Sequence, residues 1–161
     1  MIESLPGLRA KIPAMQVIQQ TGLRDYEAVL AAYQQSGMAN EVYKFIDDMP
    51  AMFARADLLV CRSGASTVAE ITAAGKPAIF VPFPRATDDH QNVNARALER
   101  AGAAVVVEES NLEPAYLVET IAALLNYPAG LRTMSTAAKS LAHPNAVQEI
   151  ADMVKRLAEF K

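Results

Sequence analysis

Ala56-Asp-Leu-Leu-Val-Cys-Arg-Ser-Gly-Ala-Ser-Thr-Val-Ala-Glu70 decides how the rest of this chain is read. Its apolar start reads as a buried strand, Ser63-Gly64 as a tight turn, and the remainder as a helix whose first turn is open to solvent. A second unit of the same kind follows at once: Pro77-Ala-Ile-Phe-Val-Pro82, a polar loop reaching Asp88-Asp-His-Gln91, then another helix. Two consecutive strand–loop–helix units with Gly, Ser, Thr, Gln and Asn at their tips are a common way to build a nucleotide site. Helix N-termini and loop amides then converge at one edge of a sheet.

The same alternation extends outward in both directions. A strand over 15–20 precedes a helix over 26–36, and a strand over 41–45 precedes a short helix over 49–55. The central units supply strands at 58–61 and 78–81 with helices at 67–74 and 90–101, and a strand at 103–107 closes the series. Short Val/Ile/Leu-rich runs alternating with helical periods predict a mainly parallel sheet covered on both faces, a Rossmann-like three-layer α/β domain. Three successive helices, over 114–125, 130–141 and 145–160, form a helical C-terminal tail. The last places Val147, Ile150, Ala151, Val154 and Leu157 at three- and four-residue spacing, a stripe expected to pack onto the sheet. Leu5-Pro-Gly-Leu8 and Ile12-Pro13 read as the end of a helix running into a strand. No strand and phosphate loop stand before them, so the chain reads as truncated at its front.

Composition narrows the function. At 161 residues, 52% hydrophobic and 20% charged, the chain is long enough for one domain with its own core. A net charge of -3 offers no basic face, which argues against a nucleic-acid partner. The single cysteine, Cys61, excludes an internal disulfide and any multi-cysteine metal centre. No apolar run reaches the roughly 18 to 20 residues of a transmembrane segment, and the start lacks the pattern of a signal peptide. A cytoplasmic protein is expected, with peripheral contact to a membrane left open.

The residues that carry chemistry cluster in the two loops. Gly64 is read as permitting a sharp backbone turn. The N–H groups of Ala65, Ser66 and Thr67 then point out of a helix N-terminus carrying about half a positive charge, for which a diphosphate is a natural guest. The hydroxyls of Ser63, Ser66 and Thr67 either add hydrogen bonds to that guest or act as plain N-caps. Glu70 either accepts from both hydroxyls of a ribose or serves as a capping-box partner. In the second loop His90, Gln91 and Asn94 fall within about one helical turn, and amides that both donate and accept suit sugar hydroxyls. Asp88-Asp89 reads as an N-cap pair and His90 as a hydrogen-bonding group. Asp47-Asp48 is the start of a helix rather than a metal site, because no third ligand is spaced to join it. Cys61 reads as packing. Thr21 and Gly22 end a strand on the side where such sheets bind ligands.

Phe45-Ile-Asp-Asp-Met49, the Ala56–Glu70 stretch, Ala74-Gly-Lys-Pro-Ala-Ile-Phe-Val-Pro82 and Asp89-His-Gln-Asn-Val-Asn-Ala95 resemble the C-terminal half of the MurG family of UDP-N-acetylglucosamine transferases. Gln20-Thr-Gly22 with Asp25-Tyr26 is similar to the family's pattern as well, and the motifs occur in the family's order along nearly the whole chain. The resemblance implies the donor-binding half of a GT-B glycosyltransferase lacking its first strand. It also implies transfer of GlcNAc from UDP-GlcNAc to the 4-hydroxyl of MurNAc in lipid I, with inversion.

Carried over residue by residue, Ile46 would meet the uracil through its backbone and Glu70 the ribose. Gly64, Ala65, Ser66 and Thr67 would face the diphosphate and sugar, and His90, Gln91 and Asn94 the GlcNAc hydroxyls. Thr21, Gly22, Arg62 and Ser63 would be secondary contacts. No cofactor is implied, and the chain has no Asp-x-Asp metal motif. Lipid I and the general base would belong to an N-terminal domain outside this chain, so the chain alone is expected to be inactive. Where the family often reads His-Gln-Thr-Gly this chain has Gln19-Gln-Thr-Gly22, which weakens a role for Gln19. A donor-binding subunit of a two-chain transferase and a non-catalytic nucleotide-sugar module are the alternatives. An open sheet edge would offer a route to self-association.

Overall fold

In a computed structural model, which describes residues 1–86 and 89–159 (Glu159 by its backbone alone), helices and strands alternate as far as the fifth strand and three helices follow. In chain order these are α1 (Leu5–Lys11), β1 (Gln16–Gln20), α2 (Gly22–Ser36), β2 (Ala39–Tyr43), α3 (Met49–Arg55), β3 (Leu59–Cys61) and α4 (Ala65–Ala74). They continue with β4 (Ala78–Phe80), α5 (His90–Arg100), β5 (Ala104–Val106), α6 (Pro114–Leu125), α7 (Pro128–Ser140) and α8 (Ala146–Glu159). The predicted strands form within a residue of their expected bounds, except that β2 lies at Ala39–Tyr43, two residues before the expected 41–45. Helices α2 and α4 start earlier than 26 and 67, at Gly22 and Ala65. Their first turns are polar, small or exposed, so apolar periodicity carries no signal there.

All strand pairs are parallel, but they do not form one sheet. β1 pairs with β2, Gln16 opposite Ala39 through Gln20 opposite Tyr43. A separate ladder runs in the order β3-β4-β5, with Leu59 opposite Ala78 and Ala78 opposite Ala104. Among the described residues β1 and β3 each have a ladder partner on one edge only. Burial records the difference: β4, flanked on both edges, is buried throughout, whereas the equally apolar β3 is only partly buried.

The two faces of β4 define the layers. Ile79 and Val81 join a cluster with Leu5 and Leu8 of α1, Val29 and Tyr33 of α2, and Leu117, Val118 and Ile121 of α6. Val17 and Val42 of the first ladder pack on that cluster together with Val60 and Val105 of the second, so one helical layer serves both ladders. Ala78 and Phe80 face the other way, against Phe53 of α3, Ile71 of α4, Ala95 and Leu98 of α5 and Ala138 of α7. Complete burial of Ile79 and Phe80 contributes about 1.5 to 3 kcal/mol each. Gly7 lets α1 approach α6: a Cβ there would lie 2.9 Å from a methyl of Val118.

The C-terminal helix departs furthest from expectation. Val147, Ile150, Val154 and Leu157 of α8 are 84, 61, 59 and 68% exposed, and they do not pack onto the sheet. Periodicity identifies the apolar face of a helix, not what covers it. Both faces of the β3-β4-β5 ladder are already occupied by helices α1 to α7. No helix among the described residues is long and apolar enough to cross a membrane.

Candidate functional site

From the end of β3 the chain reaches α4 through Arg62, Ser63 and Gly64 alone. Gly64 is the N-cap, with φ -62° and ψ 152°, an extended conformation open to any residue. The turn therefore does not depend on a glycine conformation, contrary to the sequence-based expectation. A Cβ on Gly64 would meet nothing nearer than Thr67 Oγ1 at 3.9 Å, so the glycine leaves open space before the helix start. The Val68 N–H donates to Gly64 O at 2.9 Å, and the N–H groups of Ala65, Ser66 and Thr67 precede it. Among the described residues no side chain caps this helix, so Ser63, Ser66 and Thr67 are not N-caps. Glu70 is exposed, beyond the third helical position that a capping-box carboxylate occupies. It is also outside every hydrogen bond and ion pair among the described residues. Three amides and one carboxylate are thus uncommitted on a helix of ten residues.

Behind that turn the two loops are bolted together. Ser63 is fully buried; its hydroxyl donates to Gln91 O at 2.7 Å, and its carbonyl accepts from Asn94 Nδ2 at 3.1 Å. Gln91 Oε1 accepts the Phe83 N–H at 3.0 Å. Arg62 donates to Val81 O and Pro82 O, both at 3.0 Å, pairs with Glu109, and lies 5.4 Å from the centre of the Phe83 ring. Arg62 and Ser63, expected as secondary ligand contacts, hold the β4–α5 loop against the end of β3. Phe83 and Glu109 belong to this scaffold and went unseen in the sequence, where no local pattern links them to Arg62.

Asp89 is the N-cap of α5 by position but not by chemistry. It sits in the left-handed region at φ 54°, and its side chain accepts from Asn92 Nδ2 at 3.1 Å instead of capping. Such a conformation costs of the order of 1 to 3 kcal/mol outside glycine, least for Asp and Asn. Asp88, the other half of the expected cap pair, lies outside the described residues. His90 opens α5 as an exposed residue, and Gln91 and Asn94 follow it, half-buried, on the same turn.

A third cluster lies at the end of the first ladder. The ladder continues past β1 through Thr21 N–H to Tyr43 O at 2.9 Å and Gly22 N–H to Lys44 O at 3.1 Å. Gln20 Oε1 then accepts the Ile46 N–H at 2.8 Å, leaving the Ile46 carbonyl as the backbone group free of a described partner. Thr21 and Gly22 therefore anchor the Ile46 loop. Exposed Phe45 and Thr21 to Asp25 line a hollow of about 620 Å³ beside it. Gln19 is occupied elsewhere, accepting from the buried Tyr33 hydroxyl at 2.7 Å; burial pushes that phenol up to about 12.

Asp48 caps α3 as its position suggests, accepting from Ala51 N at 3.0 Å. No group of three or more His, Cys, Asp or Glu side chains converges among the described residues. Burial pushes the Cys61 thiol up to about 12, consistent with packing rather than reactivity.

Known proteins are similar to this chain in sequence and fold. The profile of the glycosyltransferase family 28 C-terminal domain matches residues 1–152. The chain is 49% identical over 156 residues to the UDP-N-acetylglucosamine--N-acetylmuramyl-(pentapeptide) pyrophosphoryl-undecaprenol N-acetylglucosamine transferase of Anaeromyxobacter sp. (strain Fw109-5), covering 97% of this chain and 41% of that protein. The protein of the same name from Myxococcus xanthus (strain DK1622) is 46% identical over 153 residues, covering 95% of this chain and 40% of that protein. The crystal structure of Acinetobacter baumannii MurG superposes with a TM-score of 0.87 at 36% identity, over 94% of this chain and 44% of that one. The glycosyltransferase VinC, solved in complex with DTDP, superposes at 0.63 with 18% identity, a likeness of fold alone. The chain thus spans about 41% of the length of the first of these relatives. Along almost its entire sequence this chain is a member of glycosyltransferase family 28, of which it carries the C-terminal domain.

Proposed function

We propose that this chain, as residues 1–161, is the donor-holding domain of an inverting glycosyltransferase. In this reading the enzyme moves GlcNAc from UDP-GlcNAc to the 4-hydroxyl of the N-acetylmuramoyl unit of lipid I. The observation that carries the reading is the uncapped start of α4, where the Ala65, Ser66 and Thr67 amides face open space with unpartnered Glu70 on the same helix. The amides take the diphosphate and Glu70 the two ribose hydroxyls. The Ile46 carbonyl accepts from the uracil ring N–H, and His90, Gln91 and Asn94 meet the sugar. As the sugar–phosphate bond breaks, negative charge grows on the departing UDP. The partial positive charge at the helix N-terminus stabilises it without reorganising, and no metal or other cofactor enters this reading.

Lipid I and the general base belong to the remaining length of such relatives, so the isolated chain binds donor without transferring it. The whole enzyme then works at the cytoplasmic face of the membrane, where it reaches a lipid-linked acceptor. The unpaired edges of β1 and β3 make the isolated chain prone to self-association, which a sedimentation series over concentration measures.

Calorimetric titration with UDP-GlcNAc, UDP and GDP-mannose tests the donor reading. Saturable binding of the two uridine nucleotides and none of GDP-mannose is expected. A folded chain that binds none of the three, or all three alike, refutes it.

A further inference from the structure

Ser63 is the point where the two loops of the site are joined. It is fully buried, yet both of its remaining polar groups are engaged with α5: the hydroxyl donates to Gln91 O and the carbonyl accepts from Asn94 Nδ2. Gln91 in turn lends its Oε1 to Phe83 N–H. A primary amide has a donor end and an acceptor end, and these contacts use one end of each. What is left is Gln91 Nε2, a donor, and Asn94 Oδ1, an acceptor, with no partner among the described residues.

Resting on the donor reading above, we propose that Ser63 is a positioning residue for the sugar half of the donor. Its hydroxyl fixes the Gln91 backbone against the α4 turn and its carbonyl takes Asn94 Nδ2, so Asn94 offers the sugar only an oxygen, while the Phe83 N–H leaves Gln91 only its own N–H groups to offer. A hydroxyl that donates to Asn94 and a neighbouring oxygen that accepts from Gln91 match this polarity. The diphosphate is held by the α4 amides, which do not depend on the Ser63 side chain.

The test is the ratio of UDP-GlcNAc to UDP affinity, measured by calorimetry in the 161-residue chain and in Ser63→Ala and Ser63→Cys variants, with thermal melts alongside. Ser63→Ala is expected to leave UDP affinity within about two-fold and to weaken UDP-GlcNAc by about five-fold, the factor for one net neutral hydrogen bond. Ser63→Cys, which fills the site with a somewhat larger atom and keeps a weak donor, should recover part of the sugar's share, and it carries the test if the alanine variant fails to fold. Equal weakening of both ligands, or no change in either, overturns the positioning role while leaving the donor site standing. A wild-type chain that binds neither ligand overturns the donor reading and this proposal with it.

Discussion

Replacing Glu70 by alanine tests whether a residue with no structural duty carries the ribose. The side chain is exposed and sits in the middle of α4, away from the helix start, with no ion pair to lose. Surface changes of this kind fall within about 0.5 kcal/mol, and alanine is the better helix former. For a domain of this size that shifts the melting temperature by no more than about 2 °C. The effect on binding is of another order. A carboxylate accepting from two hydroxyls makes charge-assisted hydrogen bonds, each contributing about 1.5 to 3 kcal/mol net. Loss of one such contribution raises the dissociation constant about 10- to 150-fold. Titration of UDP and UDP-GlcNAc into the chain and its Glu70→Ala variant should show that loss for both ligands equally, since both carry the ribose. A Glu70→Gln variant, which keeps an acceptor but not the charge, should fall between. An unchanged affinity would show that Glu70 does not hold the ribose, and a melt lowered by several degrees that it has a structural duty after all.

Other measurements probe the scaffold. Gln20→Ala frees the Ile46 N–H, so hydrogen exchange at that amide should accelerate while amides of β4 keep their protection. Phe80→Ala, in a completely buried position, should cost about 3 to 5 kcal/mol in denaturant unfolding, whereas Ile150→Ala on exposed α8 should cost under about 1 kcal/mol. Cys61, its thiol pushed up by burial, should resist alkylation at pH 8 in the folded chain and react readily once unfolded. The same burial, with that of Tyr33, makes stability pH-dependent on the alkaline side. Both groups ionise more easily unfolded, at ordinary values of 9.0 and 10.0, than folded, at about 12, so stability should fall as pH rises from about 9 toward 12. A flat profile over that range would contradict their burial.

The sequence made the element order legible because strand and helix periods alternate sharply from 15 to 107, with turn residues between. It also made the α4 start and the α5 amides legible, since strand–loop–helix units place their tips together. Pairing was less legible. The apolar run of Leu59-Val-Cys61 looks the same whether a strand has one neighbour or two, so the division into two ladders left no local trace. Arg62 and Ser63 were ambiguous for a different reason. Their polar groups point to a partner, but composition does not say whether that partner is a ligand or a carbonyl from the next loop. The Gly64 expectation failed because a glycine in a turn suggests an unusual φ, and here the backbone is ordinary and a Cβ would fit. The apolar face of α8 was visible as a pattern, and its lack of cover depends on surfaces distant in sequence.

The division of the strands has a bearing on motion. Ile46 hangs from the ladder of β1 and β2, whereas Ala65 starts the helix that leaves the ladder of β3, β4 and β5. The two ladders share side-chain packing but no strand pairing, so small relative displacements meet soft apolar contacts rather than aligned amides. A guest touching both Ile46 and Ala65 acts as a strut between them. Its arrival should therefore damp motion in β1 and β2, well beyond its own contacts. These strands, each paired on one edge, would gain more order than β4, which is paired on both.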